Sequence, residues 1–401
     1  MKQLQAFKFE LDPNGEQDRD MRRFAGSCRF VYNKALALQK ENYEAGHKFI
    51  NYVVMAKHLT AWRNNPETPW LKQAPCHPLQ HSLKDLDKAF KNFFSKRAQF
   101  PRFKKRELGG SFRYPDSLQI ELDQVNSRIY LPKLGWMRYR KSREVVGDLR
   151  NVTVSCTCGK WFISIQTQHE VQQSVTKATA AVGIDMGITH FATFSNGSHI
   201  TPLNSFKKQQ VRLAKYQRRM SRKKKFSNNW RKARFQVRKI HTKIANTRKD
   251  FLHKTTTEIS KNHAIVCIED LQVKNMSNAK GAKTLSYKTG LNRSILDQGW
   301  GIFRQQLEYK MKWAGGLLIV VPAHNTSRTC PIPACGHISA DNRKTQAEFK
   351  CVNCSYENNA DIVGAINILE RGHRLLACGE SIKLNRSMKQ EPPEVNQLAF
   401  N

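Results

Sequence analysis

The chain has 401 residues, room for two or three domains, and carries 68 Lys and Arg against 32 Asp and Glu, a formal charge of +36. A folded protein with that imbalance needs a polyanionic partner, and nucleic acid is the foremost candidate. A membrane partner is disfavoured, because no apolar run approaches the roughly 20 residues of a bilayer span and the N-terminus lacks a signal peptide's apolar core. The expected location is the cytoplasm, in association with the nucleoid, with the cysteines reduced.

Residues 2–11 alternate, with Phe7, Phe9 and Leu11 on one face, and predict a strand that turns at Pro13-Asn14-Gly15. Apolar residues at helical spacing predict helices over 16–45, 52–63 and 79–98, which together make a helical lobe at 15–99. The stretch FPRFKKRELGGSFRYP at 100–115 interleaves cations with rings. That composition suits phosphate contact through Arg102, Lys104 and Lys105 and base stacking, and equally suits a basic loop whose rings pack inward. Strand patterns then dominate to residue 171, with turns near Asn126-Ser127 and Gly159-Lys160, where Cys156 and Cys158 read as hairpin residues. The opening strand has no partner nearby, so it is expected to join these later strands. The result is a small β-barrel over 1–14 and 100–178 with the helical lobe inserted.

A polar linker at 172–179 leads to a third region, an α/β domain over 179–325 and 358–374. Its first strand, 181–184, ends at Asp185, and a further strand pairs back through an Asn196-Gly197 hairpin. This is how a ribonuclease H-like fold begins, although strands also end in Asp for turn reasons alone. From Lys207 to Lys254 there are nineteen Lys and Arg and one acidic residue, Asp250. A narrow apolar stripe there predicts two long helices joined near Ser227-Asn228-Asn229. With so few compensating acids, Arg218, Arg219, Arg222, Lys223, Lys224, Lys225, Arg231, Lys232, Arg234 and Arg238 are candidates for contact with a nucleic-acid backbone. An apolar strand at 263–271 carries Glu269 and Asp270 at its end, a helix is expected over 294–314, and a strand over 317–321.

Cys330 and Cys335 form one pair and Cys351 and Cys354 a second, fifteen residues apart, the layout of two thiolate knuckles closing on one zinc ion within 326–357. The four-residue gap inside the first pair is wider than usual. Asp361 precedes apolar residues at helical spacing, so it stands at a helix N-terminus, where an Asp is a cap or a carboxylate kept ionised to hold a cation. Asp185, Glu269 and Asp361 thus occupy equivalent places, and in an open α/β sheet such ends gather along one edge. Clustered carboxylates repel unless cations neutralise them, and two magnesium ions could then activate water against a phosphodiester. Asp270 is expected to face away. Beyond Gly372 periodicity is lost, and residues 375–401 are expected to be a flexible tail.

These motifs have a family likeness. EQ and CRFVYN at 16–33, GIDMGITHFAT at 183–193, CIEDL at 267–271, GWGIFRQQLEYK at 299–310, TSRTC and CG at 326–336 and FKCVNCSYENNADIVGAINIL at 349–369 resemble the TnpB (OrfB) family of transposon-encoded RNA-guided nucleases, compact relatives of type V CRISPR effectors. The resemblance implies a RuvC-type nuclease domain with magnesium ligands at Asp185, Glu269 and Asp361, a zinc ribbon on the four cysteines, and an N-terminal β-barrel carrying a helical recognition lobe. It also implies a guide RNA from the transposon end and a double-stranded DNA target bearing a short flanking motif. Arg343, between the knuckles, is a candidate to approach the scissile phosphate. The competing expectations are a cleavage-deficient RNA-guided repressor, which should lack one of the acids, and an accessory transposition protein. A tyrosine transposase would need a His-hydrophobic-His pair, which the sequence lacks.

Overall fold

A computed structural model describes residues 2–106, 109–171, 176, 178–277 and 285–378. The chain divides into two compact units, Met1–Gln172 and Gln173–Asn401. No described helix is long and apolar enough to cross a membrane.

In the first unit β1 (Lys2–Asp12) is followed by helices α1 (Gly15–Glu44), α2 (Tyr52–Asn64), α3 (Trp70–Gln73) and α4 (Cys76–Phe94). Strands β2 (Ser111–Tyr114), β3 (Glu121–Asp123), β4 (Arg128–Leu131), β5 (Gly135–Tyr139), β6 (Asp148–Thr157) and β7 (Lys160–Glu170) come next. β1 pairs antiparallel with β7 from Lys2 to Glu10 and then with β5 at Leu11 and Asp12. One strand therefore joins both halves of a seven-stranded sheet ordered β2-β6-β7-β1-β5-β4-β3, and the helices interrupt it. Asn14 and Gln17 form a reciprocal capping box at the start of α1. The Gln17 amide also donates to the carbonyls of Leu134 and Trp136, fixing the helix to β5. Sheet and helices bury one apolar core, with Phe7, Phe9, Met21, Leu36, Leu83 and Ile163 at its centre.

Two details differ from the sequence reading. The predicted helix at 79–98 begins earlier, at Cys76, with Pro78 tolerated in its first turn, and stops at Phe94 before Lys96 enters the left-handed region at φ 56°. The β6–β7 turn is Cys158-Gly159, one residue before the expected one, and both of its residues have positive φ, 49° and 77°.

The second unit holds β8 (Ala181–Asp185), β9 (Ala192–Phe194), β10 (His199–Ile200), α5 (Ser205–Ser221), α6 (Asn228–Asn262), β11 (Ile265–Glu269), α7 (Val273–Met276), α8 (Leu285–Gln298), α9 (Trp300–Ala314), β12 (Leu317–Val321), β13 (Glu348–Lys350), β14 (Glu357–Asn359) and α10 (Ala360–Ala377). β8, β11 and β12 run parallel, and β9 and β10 extend the sheet antiparallel, in the order β10-β9-β8-β11-β12. The Asn196-Gly197 turn joins β9 to β10, whereas a loop at 186–191, pinned by the fully buried Phe191, links β8 to β9. Side chains alternate across this sheet. Val182, Ile184, Val266 and Ile268 face α6, α8 and α9. Cys267 and Ile319 face the other way, against Ile368 and Leu369 of α10.

α10 reaches the sheet through glycines. A Cβ on Gly183 would run into the Ala365 carbonyl of α10, and one on Gly372 into the Cys267 sulfur. Gly372 is therefore a close-packing residue and not a helix stop. The helix continues to Ala377 and packs Leu375 and Leu376 on the sheet, so the expected tail does not begin at 375. Residues 379–401 lie outside the described residues. The single helix expected at 294–314 is also corrected: Gly299, at φ 73°, separates α8 from α9. Gly183→Ala is expected to lower stability by about 1–3 kcal/mol or more in urea titration, because two backbones must separate. Gly301→Ala, whose Cβ would meet nothing within 4 Å, should leave the midpoint unchanged or raise it.

Candidate active site and metal-binding cysteines

The alternation that buries Cys267 under α10 also aims Glu269 to that side, and the one that sets Gly183 against α10 does the same for Asp185. β8 and β11 are in register up to Ile184 and Ile268, so the two carboxylates end their strands at one level. Asp361 follows the N-cap Asn359, whose side chain accepts from the Asp361 N–H at 2.9 Å. Gly364, one turn further along α10, leaves room for Asp185: a Cβ there would stand 2.9 Å from its Oδ2.

The structure thus brings Asp185, Glu269 and Asp361 to the carboxyl edge of the sheet beside a helix N-terminus. Asp270 turns away and pairs with Arg304 of α9. Burial pushes the Asp185 carboxyl up to about 7, helped by the charges of Glu269 and Asp361 and opposed by Arg343. Burial also raises Glu269, against a hydrogen bond donated by the buried Thr326 hydroxyl and the positive charge of Arg371.

Arg343 reaches Asp361 Oδ1 at 3.5 Å, and its guanidinium donates to the Gln346 carbonyl at 2.6 Å. Sequence reasoning missed three neighbours. His190 stands 3.9 Å from Asp361 Oδ2, its ring centroid 4.2 Å from that of His199. Thr326 holds Glu269, and the buried Asn367 of α10 donates to the carbonyls of Thr326 and Thr329 at 2.8 and 2.7 Å, tying α10 to the segment that enters the cysteine module. All three lie inside stretches that carry the family likeness, Thr326 in TSRTC, His190 in GIDMGITHFAT and Asn367 near the end of the 349–369 stretch, so a signal existed for each but not for its contact.

The Sγ atoms of Cys330, Cys335, Cys351 and Cys354 all lie within 4.8 Å of one another, the group among the described residues gathered so as to hold a metal ion. Both knuckles close alike. Cys330 N–H donates to the His337 carbonyl and Cys351 N–H to that of Tyr356. The residue after each second cysteine is left-handed, Gly336 at φ 55° and Ser355 at φ 60°. The two extra residues of the first pair are taken up in the turn before Gly336, where Cys335 and Gly336 both donate to the Ile332 carbonyl. A hydrogen bond from the Asn353 amide and another from the His337 N–H lower Cys335 to about 6, while burial raises Cys330 to about 12.

The basic candidates fall in two places. α5 and α6 pack along a seam of Leu213, Val237, Ile240 and Ile244. This leaves Arg218, Arg219, Arg222, Lys223, Lys224, Lys225, Arg231 and Lys232 exposed, with Arg234 stacked on Trp230 and Arg238 half-buried. In the first unit Arg102, Lys104 and Lys105 are all exposed, and the Lys104 ammonium also sits 4.0 Å over the Tyr32 ring and 4.0 Å from Asp85.

Comparison with known proteins fixes the family. A family model described as "Probable transposase" (OrfB_IS605) matches residues 164–280, one described as "Cas12f1-like, TNB domain" matches 300–368, and one described as "Helix-turn-helix domain" matches 1–48, where the structure has β1 and the single helix α1. The chain is 55% identical, over 99% of both proteins, to "Putative RNA-guided DNA endonuclease InsQ" of Escherichia coli K12. The chain belongs to the TnpB (OrfB) family. A relative from Streptomyces pristinaespiralis, "Putative RNA-guided DNA endonuclease", is 35% identical over 96% of each protein. Among solved structures, Cas12f1 in its complex with sgRNA and target DNA shares the fold, with a TM-score of 0.53 at 14% identity, over 88% of this chain and 82% of that one.

A pH experiment follows from the carboxyl edge. The folded Asp185 holds its proton up to about 7, whereas an unfolded chain releases it near the ordinary 3.8. Between those values the folded state binds more protons, so stability falls as pH rises through this window. Asp185→Asn in EDTA should therefore lose less stability than the unsubstituted chain between pH 4.5 and 8, by on the order of a few kcal/mol in urea titration. Parallel loss in both proteins would show that Asp185 carries no such burden.

Proposed function

We propose that the chain is a transposon-encoded RNA-guided DNA endonuclease that hydrolyses phosphodiesters of its target at the edge formed by Asp185, Glu269 and Asp361. The observation that carries this reading is the convergence of those acids, from two parallel strands and one helix start, until the charges of Glu269 and Asp361 oppose the ionisation of Asp185. We read the second unit as a RuvC-type, RNase H-like domain interrupted at 326–357 by a zinc ribbon, and the strands of the first as a barrel around an inserted recognition lobe. The names of the relatives, and the RNA and DNA in the Cas12f1 complex, support RNA and DNA as partners, which we read as a guide RNA and a double-stranded target.

The donor sets fit two metals. Sulfurs each about 2.3 Å from one zinc ion stand roughly 3.8 Å apart at tetrahedral corners. Here Cys330 and Cys354 are 3.5 Å apart and Cys335 and Cys351 3.7 Å, so one zinc ion suits them. The carboxylates of Asp185, Glu269 and Asp361 are oxygen donors that would suit magnesium, and two ions there would supply an activated water and a counter-charge for the leaving oxygen. The chain's own groups then have distinct parts. Asp185, Glu269 and Asp361 would hold the cations, Thr326 fixes the Glu269 carboxylate, and Arg343 stands beside Asp361 where a scissile phosphate would enter. All three acids are present and gathered, which favours cutting over a repressor role.

The test uses the whole chain with the RNA that copurifies. That RNA is sequenced, and the complex is challenged in magnesium with a plasmid library randomised beside the matching target. The unsubstituted protein should cut a subset of the library, while Asp185→Ala binds the same RNA and target without cutting. Cutting by Asp185→Ala at the unsubstituted rate would refute the site. Binding without cutting by the unsubstituted chain would instead identify a repressor.

The α5–α6 hairpin is read as a track for the nucleic-acid backbone. Neutralising Arg218, Arg219, Arg222 and Lys223 together should weaken RNA binding and reduce the slope of log K against log salt by up to about 3. An unchanged slope would make the hairpin a solvated surface only.

A further inference from the structure

The first unit carries an aromatic surface that its own core does not use. Phe90 is buried at the end of α4, but Phe94 is 57% exposed, and Phe49, Phe100 and Phe103 are 43%, 42% and 45% exposed. Phe49, Phe94 and Phe100 converge from three segments on Phe90 and Phe93. Phe49 lies 5.2 Å from Phe90 and 5.8 Å from Phe94, and Phe100 lies 5.6 Å from Phe90 and 5.3 Å from Phe93, between ring centroids. Scattered exposed rings are ordinary, whereas a contiguous half-buried set marks a surface that something covers.

The loop bearing Phe100 and Phe103 is held in place. The Asn33 amide of α1 donates to the Lys104 carbonyl at 3.0 Å and accepts from its N–H at 2.8 Å. Lys40, also of α1, sits 5.7 Å from the Phe100 centroid and 4.9 Å from that of Phe103. From Lys88 to Arg106 the sequence has eight Lys and Arg and no acid; Lys91 and Lys104 reach back to Asp87 and Asp85, while Lys96, Arg97, Arg102 and Lys105 are exposed. Flat apolar faces beside uncompensated cations are complementary to unpaired nucleotides, whose bases stack while their phosphates meet the charges. Bases of a duplex target are already stacked, whereas loops and bulges of a folded RNA offer theirs freely.

We propose that the cluster of Phe49, Phe94, Phe100 and Phe103, with Lys40, is a base-stacking site for an unpaired stretch of the RNA that the chain carries. This rests on reading the protein as RNA-guided and adds where, and through what chemistry, the RNA is gripped. Full-length protein freed of nucleic acid is titrated with a short oligouridylate, with a blunt RNA duplex, with an oligothymidylate and with anionic lipid vesicles. Phe94→Ser combined with Phe103→Ser should weaken oligouridylate binding about fivefold or more, the loss of roughly 1 kcal/mol or more of stacking. Duplex binding should stay within about twofold, since phosphate contacts are untouched. Phe94→Trp combined with Phe103→Trp should restore or tighten the single-strand affinity.

An equal loss on duplex and single strand, or failure of the Trp pair to restore binding, would reduce the effect to folding or charge and overturn the proposal. So would unchanged oligouridylate binding by the Ser pair. A loss confined to oligothymidylate would assign the surface to displaced DNA, and one confined to vesicles to a lipid surface. If the unsubstituted chain retained no RNA on purification, the RNA-guided reading itself would fall. If it cut under RNA guidance while the Ser pair bound oligouridylate normally, only the stacking site would.

Discussion

The close approach of α10 to β8 and β11 is the contact on which the second unit's chemistry depends. Helices ordinarily stand off a sheet by the thickness of two side-chain layers; here Gly183 and Gly372 remove one layer and Gly364 opens a space for a carboxylate. The outcome is that Asp361, at the mouth of the helix, shares an edge with residues 176 and 92 positions earlier in the chain. A methyl group at Gly183 or Gly372 would push the helix outward and with it Asp361, whereas one at Gly364 would displace the Asp185 carboxylate. The packing and the site are thus one constraint.

That geometry gathers like charges, which a protein does at a cost in stability. The surrounding cations do not cancel it. Arg343 is shared with the Gln346 carbonyl, and Arg371 donates to the carbonyls of Pro322 and His324, so each guanidinium is partly spent on backbone. The same bonds serve a second purpose. Asn367 and Arg371 of α10 hold the segment from Pro322 to Thr329 that enters the cysteine module, and Thr326 in that segment hydrogen-bonds Glu269. The cysteine module is therefore fastened to the carboxyl edge at both of its ends, through Thr326 on entry and Asp361 on exit.

Much of this was legible from residue patterns. Strands ending in Asp185 and Glu269, the helix start at Asp361, the paired cysteines and the long basic hairpin each had a local signature in spacing or charge. What escaped was decided by packing. Gly299 lies within an apolar pattern that continues on both sides, so periodicity cannot detect that the backbone turns left-handed there, where Leu252 and Arg248 of α6 crowd it. The helix reads as fading beyond Gly372 because the contact of that glycine with Cys267, on a strand more than a hundred positions away, leaves no local pattern. Lys104 is an exposed cation as read, but its contacts with Tyr32 and Asp85, distant in sequence, could not be seen in the pattern. The expected partners of Asp185 could be named in advance. His190 lies inside the GIDMGITHFAT motif, but its approach to Asp361 could not be named, because nothing in a loop sequence states which way a side chain turns.

The hairpin of α5 and α6 shows how a strongly basic element is kept folded with few acids of its own. Between Lys207 and Lys254 the only carboxylate, Asp250, is spent on Lys254 at 2.8 Å. Anchorage comes from outside. Asp297 of α8 accepts from the Ser205 hydroxyl and the Phe206 N–H at the start of α5, at 2.7 and 2.8 Å, and from Arg248 of α6 at 3.4 Å. A buried anion at a helix N-terminus complements its dipole, and by holding both helices at their base it frees the distal turn from any need for internal ion pairs. The charges from Arg218 to Lys232 then remain uncompensated and turned to solvent, the condition under which displaced counterions, and not broken salt bridges, set the strength of binding to a polyanion.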